Sequence, residues 1–188
     1  MALSGPHRRF LIIEQGAVPT VFNFALNGAI AWALFRSAEE VPLWGESSLG
    51  VDLLATAFLL PFLTTLIVSA IVARHVRDGK VPPLARDQLP NTRWFERSAM
   101  MRGLALGAAG VVFGALPLVW VLTLAQAQPL AVSAFVTFKA AWAAMLALLF
   151  TPVVGWWALA NASFAQRAQV SRSEPKASED HQVGERRP

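Results

Sequence analysis

Residues 74–102, RHVRDGKVPPLARDQLPNTRWFERSAMMR, form a basic segment between two pairs of long apolar runs. The segment holds seven Lys and Arg residues and three acidic ones. Short loops rich in Lys and Arg stay on the cytoplasmic side of a membrane. Because this side is then fixed, an even number of crossings must lie before the segment and after it. The sequence therefore predicts two helical hairpins joined by a cytoplasmic connector.

Composition assigns the chain to the membrane. Of its 188 residues, 55% are hydrophobic and 15% are charged, whereas soluble domains carry roughly a quarter charged residues. The sequence therefore predicts an all-α polytopic membrane protein with four transmembrane helices arranged as two antiparallel hairpins. It contains no cysteine, which excludes disulfides, thiolate metal sites and thiol redox chemistry.

Four apolar runs are long enough to cross roughly 30 Å of hydrocarbon at about 1.5 Å per residue. The predicted spans are residues 17–35, 51–73, 100–124 and 133–160. The loop after the first span is acidic, and the loop after the third, AQAQP, carries no charge. Both loops therefore fit the outside. The expected location is a bacterial inner (plasma) membrane with both termini in the cytoplasm.

The segments that flank the spans are polar or basic. Residues 1–16 begin with Arg8 and Arg9 and continue into a short apolar patch, which predicts an interfacial lead-in helix. Residues 74–99 predict a basic cytoplasmic loop. Residues 164–188 carry many charged residues, Ser and Pro and almost no large apolar residue, which predicts a disordered cytoplasmic tail.

Net charge admits two interpretations. The chain carries a formal charge of +4 and has a pI near 10.6, which would suit a nucleic-acid partner. The positive residues, however, flank the apolar runs and do not alternate with aromatic residues as in RNA-binding surfaces. The basicity therefore indicates membrane topology and attraction to anionic headgroups of the lipid bilayer at the cytoplasmic face. No nucleic acid is expected.

Polar residues recur within the predicted spans at helical spacing. In the first span they are three and four residues apart, which places them on one helix face. Those of the second span lie at the same expected depth, in the cytoplasmic half, and Thr151 beside Pro152 adds a group from the fourth span. The candidates for a polar pocket are Thr20, Asn23, Asn27, Thr64, Thr65 and Ser69. Alternatively, these groups only join helices through weak hydrogen bonds.

Glycines of the third span form a second pattern. Gly103, Gly107, Gly110 and Gly114 share one face of the helix. Such a face lets two helix backbones approach closely. The contact predicted for it is another helix of the same chain or the seam of a homo-oligomer.

Lys139 is the charged residue that the sequence places within a span. An intramembrane ionisable residue is a functional candidate. Counting back from Trp156 and Trp157 instead places Lys139 at the outer interface, where its stem can reach water. Asp52 starts the second span at a similar depth, and an interfacial ion pair between Asp52 and Lys139 is predicted.

Catalytic patterns are not evident. His7, His75 and His181 lie outside the predicted spans, and no acidic pair occupies a span. The sequence therefore predicts no enzyme, no metal site and no cofactor.

A Pro-Leu pair precedes the returning helix in both halves of the chain, which would fit a duplicated hairpin, but the shared residues are few.

Two functions fit these features. The first is a small permease-like or channel-like protein, oligomeric because four helices enclose little space, with its polar face binding a small solute. The alternative is a non-transporting membrane scaffold or accessory subunit. A water-accessible polar cavity lined by Asn23 and Asn27 would favour the first, and a dry, packed bundle would favour the second.

Overall fold

The computed structural model describes residues 10–85 and 97–173, with side chains for residues 12–85 and 97–169. Its elements, in chain order, are the π-helical segment Phe10–Ala17, α1 (Val18–Phe35), β1 (Glu40–Val41), α2 (Leu49–Arg77), α3 (Ala99–Ala109), the π-helical segment Gly110–Ala115, α4 (Leu116–Leu124), β2 (Leu130–Ala131) and α5 (Val132–Ser173). The all-α fold is confirmed, and α3, the second π-helical segment and α4 form one continuous helix.

Four helices are long and apolar enough to cross a membrane, namely Ile12–Phe35, Leu49–Arg77, Ala99–Leu124 and Val132–Gln169. Each is longer than the sequence predicts, because helix propensity continues through the polar ends of the apolar runs. The first span includes residues 12–16 of the predicted lead-in. The fourth continues far past residue 160, so its 42-residue helix is about 63 Å long at 1.5 Å per residue.

The predicted disordered tail is wrong over residues 164–173, which are the last turns of α5. Residues 174–188 lie outside the described part of the chain, as do residues 1–9 of the lead-in and residues 86–96 of the basic loop. We call the end of the structure that carries residues 74–85 and 97–99 the basic end, and the end that carries β1 and β2 the β end.

Local sequence explains the helix ends. Ser98 caps α3, because its hydroxyl accepts a hydrogen bond from the Met101 N–H at 3.3 Å. After α2 the chain turns at Gly79, whose φ of +71° favours glycine. Pro61 lies inside α2 and lacks the N–H that would bond to the carbonyl oxygen of Ala57.

Helices that are neighbours in sequence are not all neighbours in space. The first span packs extensively along α5, α2 packs along both α5 and α3, and α5 is therefore the central helix. The four spans follow one another along the chain as the two predicted hairpins require. However, α1 packs mainly on α5 and not on α2, its neighbour in sequence. Among consecutive spans, the second and third make the extensive contact, through α2 and α3.

The core has two apolar clusters. The larger lies toward the β end and contains Ala31, Leu53, Ala57, Phe135 and Leu146 among its fully buried members. Here β1 and β2 also pair antiparallel, so the two loops that the sequence places outside lie on the same end. The smaller cluster lies toward the basic end, where α2 and α5 pack against residues 81–84.

The described part of the basic loop is held against α5. The Leu84 N–H donates to Ser163 Oγ at 3.0 Å, and Arg167 Nη2 donates to the Leu84 carbonyl oxygen at 2.8 Å. Ser163 in turn donates to the Leu159 carbonyl oxygen at 2.7 Å. The Leu84 side chain is fully buried. The far turns of α5 therefore support the connector between the hairpins.

Candidate functional site

A layer of buried polar side chains separates the two apolar clusters. Each of the four spans contributes one member, and each member is at most 7% exposed. We call these residues the polar layer: Gln15, Thr65, Arg102 and Thr151. Buried polar groups in a membrane span are expensive and mark sites of function more often than sites of stability.

Contacts between the first and fourth spans place Gln15 close to Thr151 along the helix axes. A Cβ at Gly155 would lie 2.7 Å from Gln15 Cγ, so the Gln15 side chain lies against the backbone of α5. Thr151 is one helical turn before Gly155 and points to the same face. Only glycine at position 155 leaves space for the Gln15 stem.

Contacts between α3 and α2 place Arg102 near the level of Thr65. A Cβ at Gly103 would lie 3.2 Å from the Phe62 carbonyl oxygen. Arg102 adjoins Gly103, and Thr65 is three residues after Phe62, so the two are within about one turn along the axes. Arg102 is 1% exposed and is among the largest fully buried side chains.

The register of α2 against α5 completes the layer. Lys139 contacts Asp52 at the β end of these helices, and Val72 packs in the same cluster as Leu159 at the basic end. The contacting pair is separated by 87 residues, and the same offset places Thr65 level with Pro152, next to Thr151. All four spans therefore bring polar groups to one depth.

Two oxygens of the polar layer are buried without a hydrogen-bond partner, Gln15 Oε1 and Thr151 Oγ1. The Thr65 hydroxyl, in contrast, donates to the Pro61 carbonyl oxygen at 2.7 Å. Pro152 additionally removes the N–H that would bond to the carbonyl of Leu148. An oxygen in an apolar interior is stabilised by a hydrogen bond, so these two oxygens are candidates to accept one from a polar solute.

The polar residues predicted on the first span form hydrogen bonds within their own helix. Thr20 Oγ1 donates to the Gly16 carbonyl oxygen at 2.8 Å, Asn23 Nδ2 to that of Pro19 at 2.9 Å, and Asn27 Nδ2 to that of Asn23 at 3.0 Å. These groups thus bond to their own helix, half-buried beside α5. Among the remaining candidates, Thr64 and Ser69 are half-buried on α2 and Thr65 belongs to the polar layer.

The glycine face contacts other helices of the same chain. Cβ atoms at Gly103 and Gly107 would meet Phe62 and Phe58 of α2, and one at Gly110 would overlap the carbonyl oxygen of Ala57. Gly114 faces α5, where a Cβ would lie 3.6 Å from the Trp142 ring. Gly103, Gly107 and Gly110 are buried within the chain, so they are occupied without a second copy.

The structure brings Asp52 and Lys139 together as an ion pair. Their side chains are 15% and 5% exposed, whereas the sequence suggests a partly solvated contact at the interface. The second carboxylate oxygen of Asp52 and the hydroxyl of Ser48 are buried near the start of α2 without partners. The pair is thus part of the protein interior at the β end.

Two members of the polar layer are not evident in the sequence. Arg102 reads as the last residue of the basic loop, and Gln15 as the end of the lead-in. For Arg102 the sequence signal is its spacing along the helix. It lies one and two turns before Leu106 and Gly110, which are both buried, and therefore shares their face. In the described residues, His, Asp and Glu form no group that could hold a metal ion.

The fold and the site define a class, a small multi-pass integral membrane protein of four helices. Comparison of the chain with protein-family models, with curated proteins and with solved structures finds no match.

Proposed function

We propose that the protein is permease-like or channel-like, and that it binds a small polar solute at the polar layer from the cytoplasmic side of a bacterial inner membrane. The observation that carries this proposal is the layer itself, to which each span contributes one buried polar side chain between two apolar clusters. A scaffold needs no such layer, since helices in lipid pack well through small and apolar residues.

The chemistry of the layer favours a solute that accepts and donates hydrogen bonds and carries negative charge. Gln15 and Thr151 offer oxygens without partners, and Arg102 brings a guanidinium, which binds carboxylates and phosphates in a fixed geometry. The basic residues near the same end of the spans attract anions toward it. Small carboxylates and phosphate are therefore the first solutes to test.

The scaffold alternative is supported by a different observation. The amides of Asn23 and Asn27 bond to their own helix, and apolar residues that range in size from Ala57 to Trp142 fill the space toward the β end. A protein that only holds helices together would show such packing throughout. The permease-like function requires the polar layer to bind a solute, whereas the scaffold function does not.

The test compares Thr151→Val with Thr123→Val. Valine keeps the shape of threonine and removes its hydroxyl, and Thr123 is an exposed threonine whose hydroxyl bonds to its own helix. Purified protein in detergent is titrated with acetate, succinate, amino acids and inorganic phosphate, and thermal stabilisation is measured. Proteoliposomes then report uptake of any solute that stabilises the protein.

We expect a solute of this set to stabilise the wild type and Thr123→Val, and Thr151→Val to weaken that effect at least roughly tenfold in concentration, about 1.4 kcal/mol. Equal responses of Thr151→Val and Thr123→Val would remove the polar layer as the site. Binding without uptake would favour an accessory subunit that responds to the solute.

A further inference from the structure

The helix contacts pair the two halves of the structure as an approximate twofold axis along the helices would. Hairpin A comprises α1, β1 and α2, and hairpin B comprises α3, α4, β2 and α5. The first span packs antiparallel on α5, just as α3 packs antiparallel on α2, while α2 and α5 run parallel at the centre. A rotation that exchanges the hairpins exchanges the two outer contacts and leaves the central one in place.

The central ion pair gives the offset between equivalent positions of the two hairpins, since Asp52 and Lys139 are 87 residues apart. At this offset Leu53 corresponds to Ala140, Leu60 to Ala147 and Val72 to Leu159, and all six residues are buried. Not every buried residue follows the offset, since buried Pro61 corresponds to exposed Leu148. The pairing of β1 with β2 places the loops of the two hairpins side by side at the β end.

Contacts of the outer helices agree with the same rotation. Gly28 in α1 meets Ala140 in α5, and Gly107 in α3 meets Phe58 in α2. Counting from these contacts, the two outer pairs differ in register by only about one helical turn. The central ion pair and the outer helix pairs thus agree with one axis, although the residues at equivalent positions are mostly different.

Asp52 and Lys139 are therefore the same position in the two hairpins. At a twofold axis, equivalent positions meet, and two identical charges buried there would repel each other. In this chain one position holds a carboxylate and the other an ammonium, which form a buried ion pair. Each group alone would be a partnerless charge in the interior.

We infer that Asp52 and Lys139 select hairpin B as the packing partner of hairpin A. The face of α2 that carries Asp52 fits a helix with a cation at the equivalent position. It rejects a second hairpin A, which would bring two Asp52 carboxylates together, and hairpin B rejects its own copy through Lys139. Discrimination by repulsion of the wrong partner complements the attraction of the right one. The connector, residues 78–98, keeps the two correct partners in one chain.

Disulfide trapping can test this pairing, because the chain has no cysteine of its own. A Cβ at Gly28 of hairpin A would lie 3.4 Å from the Ala140 Cβ of hairpin B, close to the roughly 3.5–4.5 Å of disulfide-bonded cysteines. With Gly28→Cys and Ala140→Cys in one chain of wild-type charge, the disulfide should close within the monomer.

The decisive experiment places the cysteines on two copies with different tags. The first copy carries Asp52→Lys and Gly28→Cys, and the second carries Lys139→Asp and Ala140→Cys. Within each copy the two hairpins now meet with like charges. Exchange of hairpins between the copies restores an opposite-charge pair at both central contacts. The control pair carries the same cysteines with Asp52 and Lys139 unchanged.

We expect roughly tenfold more disulfide-linked dimer of the two copies from the charge-altered pair than from the control pair, on co-expression in membranes and non-reducing electrophoresis. That ratio corresponds to about 1.4 kcal/mol of pairing preference. Accumulation of the altered copies together, but not separately, would support the inference in the same way. A dimer yield no higher than in the control, or no accumulation of the two copies together, would overturn it.

A single chain with the charges exchanged provides the second measurement. Asp52→Lys with Lys139→Asp, combined with both cysteines, should form the disulfide within the monomer as efficiently as the chain of wild-type charge. Failure of this chain to form it would show that the identity of each residue matters beyond its charge, and the inference would then be wrong.

Discussion

Single substitutions are expected to have their largest effects at buried charged and polar side chains. The Asp52–Lys139 pair is enclosed by protein, with the ammonium-bearing side chain only 5% exposed. Exposed ion pairs contribute about 0–1 kcal/mol, and the sequence alone favours that range for a pair at the membrane interface. Because the pair is enclosed, removal of one partner leaves the other charge buried without compensation. The expected loss of stability is therefore larger.

Lys139→Ala should lower the free energy of unfolding by about 3 kcal/mol, near the low end for buried pairs because Asp52 keeps some access to solvent. Replacing both residues with alanine should cost less than Lys139→Ala alone, since no charge remains. Denaturant unfolding in detergent micelles measures both variants. A loss below about 1 kcal/mol for Lys139→Ala would indicate a solvated pair.

Ser163 is a second side chain with a specific expected effect, because it accepts the N–H of buried Leu84. Ser163→Ala leaves this donor unpaired, at a cost of about 1–3 kcal/mol to the docked loop. Trypsin should then cleave faster after Lys80, an exposed residue just before the docked segment. Ser133→Ala, at an exposed position of α5, is the control. Equal cleavage rates in the two variants would mean that Arg167 alone holds the loop.

Helix packing depends on where small residues meet backbone. Pro61 leaves the Ala57 carbonyl without its helical donor, and Gly110 of the neighbouring helix covers this carbonyl so closely that a Cβ has no space. The Gly110 Cα–H is the group directed at this oxygen, a weak but recurrent contact between helices. Pro61 leaves the Ala57 carbonyl oxygen free of its helical donor, and Gly110, which has no side chain, allows the neighbouring helix to approach that oxygen closely.

Gly110→Ala and Gly114→Ala form a matched pair on this helix. At Gly110 the added methyl group would overlap backbone, and overpacking of this kind costs about 1–3 kcal/mol. At Gly114 the methyl group would make ordinary contacts at 3.6 Å or more, and alanine favours the helix over glycine by up to about 1 kcal/mol. Thermal unfolding in detergent should show a loss for the first variant and no loss for the second. Similar midpoints would indicate that α3 can move away from α2.

The molecule is organised around its last helix. The most apolar part of the fourth span is 56% buried, and that of the first span only 11%. The first span therefore presents most of its surface to lipid or to another copy, and a homo-oligomer remains a prediction. Pairing of β1 with β2 also requires both of their loops to lie on one side of the membrane.

Cysteine labelling in this cysteine-free chain tests that topology directly. Single cysteines at Glu46 and Gln128, both exposed at the β end, should react with an impermeant maleimide added outside intact cells. A cysteine at Lys80, exposed at the basic end, should react only after the membrane is opened, as expected for a Lys- and Arg-rich loop. Labelling of Lys80→Cys from outside would reverse the proposed orientation.

The sequence by itself determines the number of spans, the side that its basic loop prefers and the depth of most polar residues, because these depend on local hydropathy, helical spacing and charge. It places Asp52 and Lys139 at one depth on these grounds. Local patterns also anticipate the close backbone approach at Gly107 and Gly110.

Only the tertiary structure decides which helices meet. Apolar helices resemble one another in composition, so nothing local shows that the first span packs on α5 or that Gln15, Arg102 and Thr151 share one layer. The relation inferred between the two hairpins likewise depends on contacts that are distant in sequence, such as that of Asp52 with Lys139, 87 residues apart, and these arise from the fit of whole helix surfaces. The tail could not be predicted either, because packing of residues 81–84 stabilises turns of α5 whose own composition is polar.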